Sequence, residues 1–297
     1  MSWSKGLIDW IEGDTAYISV AFSWKLPEAY QRCVWYKSQG YRVRAGGPGT
    51  FARRSYLADV AELGGEVDAL VRHNPDATIT SRGCPVGCYF CIVPKMEGKE
   101  FTLLPNFIPR PILCDNNLSA LPIEYQEYII EKYQKSGVIL LDANSGFEPH
   151  TFDKETYIRW KAINKGRWRF GYDETSEEEY VYRMVHILKD ELPWNKKIYV
   201  LIGNEPFEAC YRRIMQVIEW KCEPHVQPML ALNTLVKRPI IHHDWTEQKL
   251  RDLARWSNRW IWRTVPFSEY GKTIESNHRL LSPTIGGSMF PPNKVGN

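Results

Sequence analysis

The sequence predicts an α/β fold, and three observations carry that expectation. From residue 77 onward, short β-rich apolar runs alternate with longer amphipathic stretches, six times over. Such alternation implies parallel strands joined by right-handed crossovers. At 297 residues the chain is long enough for one large α/β unit with attachments. Its apolar share of 43% and charged share of 25% are ordinary, which argues against disorder. No run of about 18 apolar residues occurs, so no transmembrane helix is expected. The opening Met-Ser-Trp-Ser-Lys-Gly lacks the apolar region of a signal peptide. The net charge of +3 names no partner, and the twelve tryptophans fit a core as readily as a ligand platform.

The elements follow in order. Residues 16–24 form an apolar, β-rich run, 27–38 a helical stretch, and 41–44 a strand ending in Ala-Gly-Gly-Pro-Gly. Together they make a βαβ-like extension over residues 1–76, with a further helix expected near 56–63. Gly46, Gly47 and Gly49 lack both the Walker lysine and the G-x-G-x-x-G spacing, so they are read as a structural turn. The regular units use strands at 78–81, 111–115, 138–142, 168–172, 197–202 and 226–232. The helices between them fall near 124–135, 154–163, 177–190 and 208–220. The 177–190 helix opens on an acidic turn that suits the helix dipole. This region spans 77–235 and is followed by a C-terminal helical extension and tail, 236–297.

Directly after the first of these strands comes Thr-Ser-Arg-Gly-Cys-Pro-Val-Gly-Cys-Tyr-Phe-Cys, with Cys84, Cys88 and Cys91 spaced C-x3-C-x2-C. Three thiolates on one short loop can hold three irons of a [4Fe-4S] cubane and leave the fourth open to a small molecule. Gly83, Pro85 and Gly87 favour a wrapped loop over a helix. Other uses compete. Cys88 and Cys91 alone match a thioredoxin-like pair, although a third cysteine is foreign to that motif. A structural zinc site would need a fourth donor, with His73 or Cys114 available. Disulfides fit poorly, because Cys33, Cys114, Cys210 and Cys222 are scattered and the total of seven is odd.

This loop resembles that of the radical S-adenosylmethionine (radical SAM) enzymes, in which the open iron chelates the amino and carboxylate groups of the methionine moiety. The resemblance covers roughly 77–235, and the tail Cys-Ile-Val-Pro-Lys-Met-Glu-Gly is similar to methylthiotransferases and cobalamin-linked members. It implies a partial (β/α)6 barrel with its chemistry at the carboxyl ends of the strands. Cys84, Cys88 and Cys91 are then the cluster ligands, and Phe90 sits where the family places an aromatic beside adenine. Asp115, Asn116 and Asn117 look like the segment that receives the SAM amino group, with an Asx turn as the ordinary alternative.

Asn144 and Glu148 fall in a dense polar rim after the third strand, suited to ribose or substrate contacts. Arg169 is a candidate for the SAM carboxylate or a solvated arginine. Tyr172 and Asp173 close the fourth strand; with Asn144 and Glu148 they are the candidates for a catalytic role. Ile202, Gly203 and Glu205 resemble the family's adenine-flanking G-x-I-x-G-x-x-E region, without its first glycine and with the acid one position early.

The implied cofactors are a [4Fe-4S] cluster and SAM. The implied reaction is reductive cleavage of SAM to a 5′-deoxyadenosyl radical that abstracts hydrogen from a substrate. A flavodoxin- or ferredoxin-like electron donor, or dithionite in vitro, is the expected partner. A reducing cytoplasm is the expected location. The absence of the cobalamin-ligating D-x-H-x-x-G motif speaks against cobalamin, and the absence of a cysteine-rich tail against auxiliary clusters.

The substrate is open. A helix expected over 246–262 carries Arg251, Arg255, Arg259 and Arg263 on one face, with Trp256 and Trp260 at the border. This stripe suits either a solvated surface or phosphates and bases, hence nucleotide or nucleic-acid base modification, including methyl or methylthio transfer. A non-catalytic metal-binding protein is the alternative outside enzymes.

Overall fold

The structure, a computed structural model, describes residues 3–64, 69–144 and 146–270. Ser145 of the expected polar rim, and the part of the C-terminal extension beyond residue 270, lie outside the described residues.

The N-terminal part is a four-stranded sheet in the order β1-β2-β3-β4. Strands β1 (Leu7–Glu12) and β2 (Thr15–Val20) form an antiparallel hairpin. Its turn is Gly13-Asp14, with Gly13 at φ +61. Helix α1 (Leu26–Ser38) buries Leu26, Ala29, Cys33 and Tyr36, one face at helical spacing. That face packs on Ala16, Ile18, Val20, Val43 and Ala45. Strand β3 (Arg42–Gly46) adds in parallel to β2, and helix α2 (Pro48–Ala52) follows. The helix expected near 56–63 is absent. Leu57 and Val60 reach the core from a 3-10 turn, after which β4 (Glu62–Leu63) pairs in parallel with β3. Strand β1 was not expected, and it turns the βαβ unit into a mixed sheet.

After helix α3 (Leu70–His73), strand β5 (Ala77–Thr78) opens the main sheet. Strands β6 (Ser81–Arg82) and β7 (Thr102–Leu103) pair antiparallel and close the base of the cysteine loop, which contains the short helix α4 (Val93–Met96). Next come β8 (Ile112–Leu113), α5 (Ile123–Ser136), β9 (Leu140–Ala143), α6 (Lys154–Lys161) and β10 (Asn164–Tyr172). The chain continues through α7 (Glu178–Ile187), β11 (Lys196–Ile202), α8 (Phe207–Glu219), β12 (Glu223–Pro228) and α9 (Glu247–Asn258). The strands lie in the order β5-β8-β9-β10-β11-β12, every pair parallel, so each new strand joins the last with no switch point. Among the described residues β5 and β12 do not pair, so the sheet is open.

Its two faces differ. Trp168, Phe170, Tyr172, Ile198, Val200, Ile202 and Val226 alternate onto one face and are buried with Trp160, Met184, Cys210, Ile214 and Val217 of the helices. The other face presents Arg167, Arg169, Lys197, Tyr199, Glu223 and His225, all half-buried. A parallel sheet covered on both faces would be apolar on both; this one keeps its inner face polar and accessible.

The edge strand β12 is capped by α9. The Asn258 amide donates to the Val226 carbonyl at 2.8 Å and its oxygen accepts from the Val226 N–H at 2.7 Å, as a neighbouring strand would. The helix stops there, short of residue 262, and Trp260 lies in the left-handed region at φ +55. Among the described residues no helix is long and apolar enough to cross a membrane.

Candidate active site

The cysteine loop leaves the carboxyl end of the first strand of the main sheet. Gly83 makes this possible: at φ +87, a Cβ would sit 2.1 Å from the Glu100 carbonyl oxygen. The Cys84 N–H donates to the Gly98 carbonyl (3.3 Å) and the Cys91 N–H to that of Cys88 (3.0 Å), which wraps the loop. All three thiols are free and half-buried. Burial, with Glu148 and the other two cysteines nearby, pushes the Cys88 thiol up to about 12; burial also raises Cys91. Thiols so disposed become thiolates on binding metal.

Among the described residues no three His, Cys, Asp or Glu side chains converge closely enough to hold one metal ion. In a cubane each thiolate binds a different iron, so its cysteines need no common point. His73, a possible fourth zinc donor, is committed elsewhere: Ser4 Oγ lies at its Nδ1 and Ser19 Oγ at its Nε2.

Glu97 organises the loop, and the sequence reading overlooked it. Its carboxylate accepts from the Gly83 N–H (3.0 Å) and the Asn116 amide (2.7 Å), and pairs with Arg82 (3.0 Å). Asn116 also donates to the Gly83 carbonyl at 3.2 Å, and Asn117 Nδ2 lies 3.9 Å from Cys84 Sγ. The end of β8 is therefore fastened to the cysteine loop.

Asp115 requires a correction. It is fully buried, accepting from the Thr80 N–H (3.0 Å), the Thr80 hydroxyl (2.7 Å) and the Ser81 hydroxyl. Those bonds leave no face for an ammonium group. Asn116 and Asn117 are the two of the trio that reach the loop.

Further round the rim, Asn144 follows β9, and its N–H donates to the Leu113 carbonyl at 2.9 Å. The Glu148 carboxylate pairs with His150 at 2.6 Å, and Ser119 Oγ accepts from its backbone N–H at 2.9 Å. Burial and then Glu177 push the Asp173 carboxyl up to about 7. The fields of Asp173 and Glu148 both reach Cys88, which gathers β9, β10 and the loop at one end of the sheet. Phe90 is half-buried, edge-on to Tyr89 with ring centroids 5.2 Å apart.

Strand alternation takes the Tyr172 side chain away from the rim, and it buries the side chain of Ile202, whose expected contact with adenine is through backbone. Tyr172 is fully buried on the helix side, donating to Gln216 at 2.9 Å. Ile202 is likewise buried beneath α8, and only its carbonyl is engaged outward, by the Met229 N–H at 2.8 Å. Glu205 is spent on structure: it pairs with the fully buried Arg213 at 3.0 Å and accepts from the Thr175 N–H and hydroxyl. At Gly203 (φ +92) the position a Cβ would take lies 3.2 Å from Leu250 of α9, so its bare side faces that helix. Arg169 stands on the open face, donating to Asp142 (2.7 Å) and the Tyr199 hydroxyl (2.6 Å). The C-terminal arginines 251, 255, 259 and 263 are all exposed, but Arg251 pairs with Glu247 at 3.3 Å and the helix ends before the last two.

No family model matches the chain, and no curated protein matches it. A solved structure does: the radical S-adenosylmethionine methyltransferase TsrM from Kitasatospora setae, with cobalamin and a [4Fe-4S] cluster bound. The two superpose with a TM-score of 0.56 at 10% identity, over 76% of this chain. The chain spans 66% of that protein's length. At this identity the likeness concerns architecture alone: this chain shares the α/β fold of that solved structure.

Proposed function

We propose that the chain is a radical SAM enzyme in which Cys84, Cys88 and Cys91 hold a [4Fe-4S] cluster. The observation that carries this reading is the loop itself. Three free thiols leave the first strand of a singly wound parallel sheet, and the Asn116-Asn117 end of the next strand is bonded to their loop. The fold shared with TsrM supports it. When bound, the group supplies the electron that cleaves SAM to methionine and a 5′-deoxyadenosyl radical, which takes a hydrogen atom from the substrate.

The chain's own residues supply binding and order. Asn116 offers its side-chain oxygen as an acceptor for the SAM amino group, while the Asn117 oxygen already accepts from the Ala120 N–H at 3.2 Å. Glu97 holds both the loop and Asn116. Phe90 offers a ring face to adenine, and Asn144 offers hydrogen bonds to ribose. Asp173 and Glu148 remain the candidates for proton handling at the rim; a carboxyl that titrates near neutrality suits that task. The reading calls for a one-electron donor of flavodoxin or ferredoxin type and a reducing compartment such as the cytoplasm. It divides the chain into an extension over 1–76, a catalytic core over 77–235 and a C-terminal part over 236–297.

The test is anaerobic reconstitution with iron and sulfide, followed by assay for 5′-deoxyadenosine with dithionite. Product from the intact protein and none from Cys88→Ala is expected. A second reading, methyl transfer, is favoured by the activity of the TsrM neighbour. Methyl-labelled SAM separates the two, since only the second delivers label to the product.

A further inference from the structure

The inner face of the main sheet carries Asp142, Arg167, Arg169, Lys197 and Glu223 on four adjacent strands. Register sets Arg167 beside Asp142, Arg169 beside Lys197, and Lys197 beside Glu223. Two of the three cations are matched. Arg169 pairs with Asp142 at 2.7 Å and Arg167 with Glu223 at 3.2 Å. Lys197 has no carboxylate within ion-pair distance among the described residues; its ammonium lies 5.7 Å from the Tyr199 ring. Beside it, His225 packs on Tyr199 with ring centroids 5.0 Å apart and has no hydrogen-bond partner among the described residues. Arg169 Nε is buried without an acceptor, and Asp142 Oδ1 in the same rung is buried without a donor.

The rung's three cations exceed its two carboxylates by one, and a half-buried charge without an ion-pair partner is unfavourable as it stands. Burial, above all, with Arg167 and Arg169 disfavours the charged form of Lys197, while Glu223 and Asp142 favour it; the net effect is a lowered pKa. One anion would match that charge and accept from the spare donors. We propose that this rung of the sheet, Lys197 with His225 and Arg169, binds an oxyanion of the substrate, a carboxylate or a phosphate.

The site rests on reading the inner face as the substrate side of the proposed enzyme, and it adds a dimension to that reading. Arg169 lies four residues before Asp173, so the anion sits about 13 Å along the strand from the rim. The substrate is then an acid whose reacting carbon lies on the order of 10 Å from its charged end.

Binding of inorganic phosphate and of acetate to the full-length protein, measured separately by calorimetry, tests the proposal. Saturable binding of one anion is expected, phosphate marking a phosphoester substrate and acetate a carboxylic acid. Lys197→Gln should weaken it at least about tenfold, while Lys197→Arg, which keeps the charge, should retain it. Cys84→Ala should bind the anion as the native protein does, because the rung does not need the cluster loop. Failure of the enzyme reading would leave this result standing. No saturable binding of either anion, or equal binding by the native protein and Lys197→Gln, overturns the proposal.

Discussion

The Asn116 side-chain amide donates to Glu97 at 2.7 Å, and the same carboxylate oxygen accepts from the Gly83 N–H at 3.0 Å. One side chain thus locks the cysteine loop to the end of the second strand of the main sheet. Glu97→Ala leaves two donors without their acceptor, an expected loss of about 1–3 kcal/mol. Iron and sulfide content after reconstitution should fall in this variant while far-ultraviolet circular dichroism stays native. Full loading would mean that Glu97 does not organise the loop.

Gly83→Ala is expected to be worse than its size suggests. The left-handed backbone alone costs about 1–2 kcal/mol for a side chain. The added Cβ also meets the backbone oxygen of Glu100, which cannot swing aside as a flexible side chain could. Thermal unfolding and cluster loading should both drop; a native melting curve would contradict the close approach.

Arg213 holds the ends of β10 and β11 together. Fully buried, it donates to the Tyr172 carbonyl at 2.5 Å and the Leu201 carbonyl at 2.9 Å, and pairs with Glu205. Arg213→Leu strands those acceptors, and breaking a buried pair typically costs about 3–5 kcal/mol. Chemical denaturation should show a fall of this order. A loss under about 1 kcal/mol, the worth of a surface pair, would rule out the bracing role.

How far the sequence revealed this site depends on the range of each interaction. The six strands and their helices are local patterns, and the middle four strands stand where the apolar periods put them. The first is shorter than 78–81, at Ala77–Thr78, and the last lies earlier than 226–232, at Glu223–Pro228. Alternation within β10, with Trp168, Phe170 and Tyr172 in phase, already assigns Tyr172 to the buried side. Ile202 follows Ile198 and Val200 in the same way. Tyr172 was a candidate because it ends a strand, a weaker signal than phase, whereas Ile202 came from a resemblance that concerns its backbone. Glu97 was not legible, since its partners lie 14 residues earlier and 19 later along the chain. Asp115 had the right residue type, but whether a carboxylate is free or spent depends on Thr80 and Ser81, which only folding brings to it. Strand β1 carried a local signal, Gly13-Asp14 between two apolar runs, that the reading missed.

Asp173 gives the rim a pH signature. Burial raises its folded-state pKa to about 7, above the ordinary carboxylate value that it recovers on unfolding. The folded protein therefore binds this proton more tightly, and the stability due to it declines as pH rises from about 4 to about 7. Asp173→Asn should flatten that part of the stability profile and leave the alkaline side unchanged. An identical slope in the variant would assign the titration to another group.

The most direct measurement of the central claim is an electron paramagnetic resonance spectrum of the reduced, anaerobically reconstituted protein, recorded before and after SAM is added. The account expects a [4Fe-4S] signal that SAM perturbs and that Cys84→Ala, Cys88→Ala or Cys91→Ala abolishes. A protein that takes up zinc instead of the cluster, or a cluster signal indifferent to SAM, would contradict it.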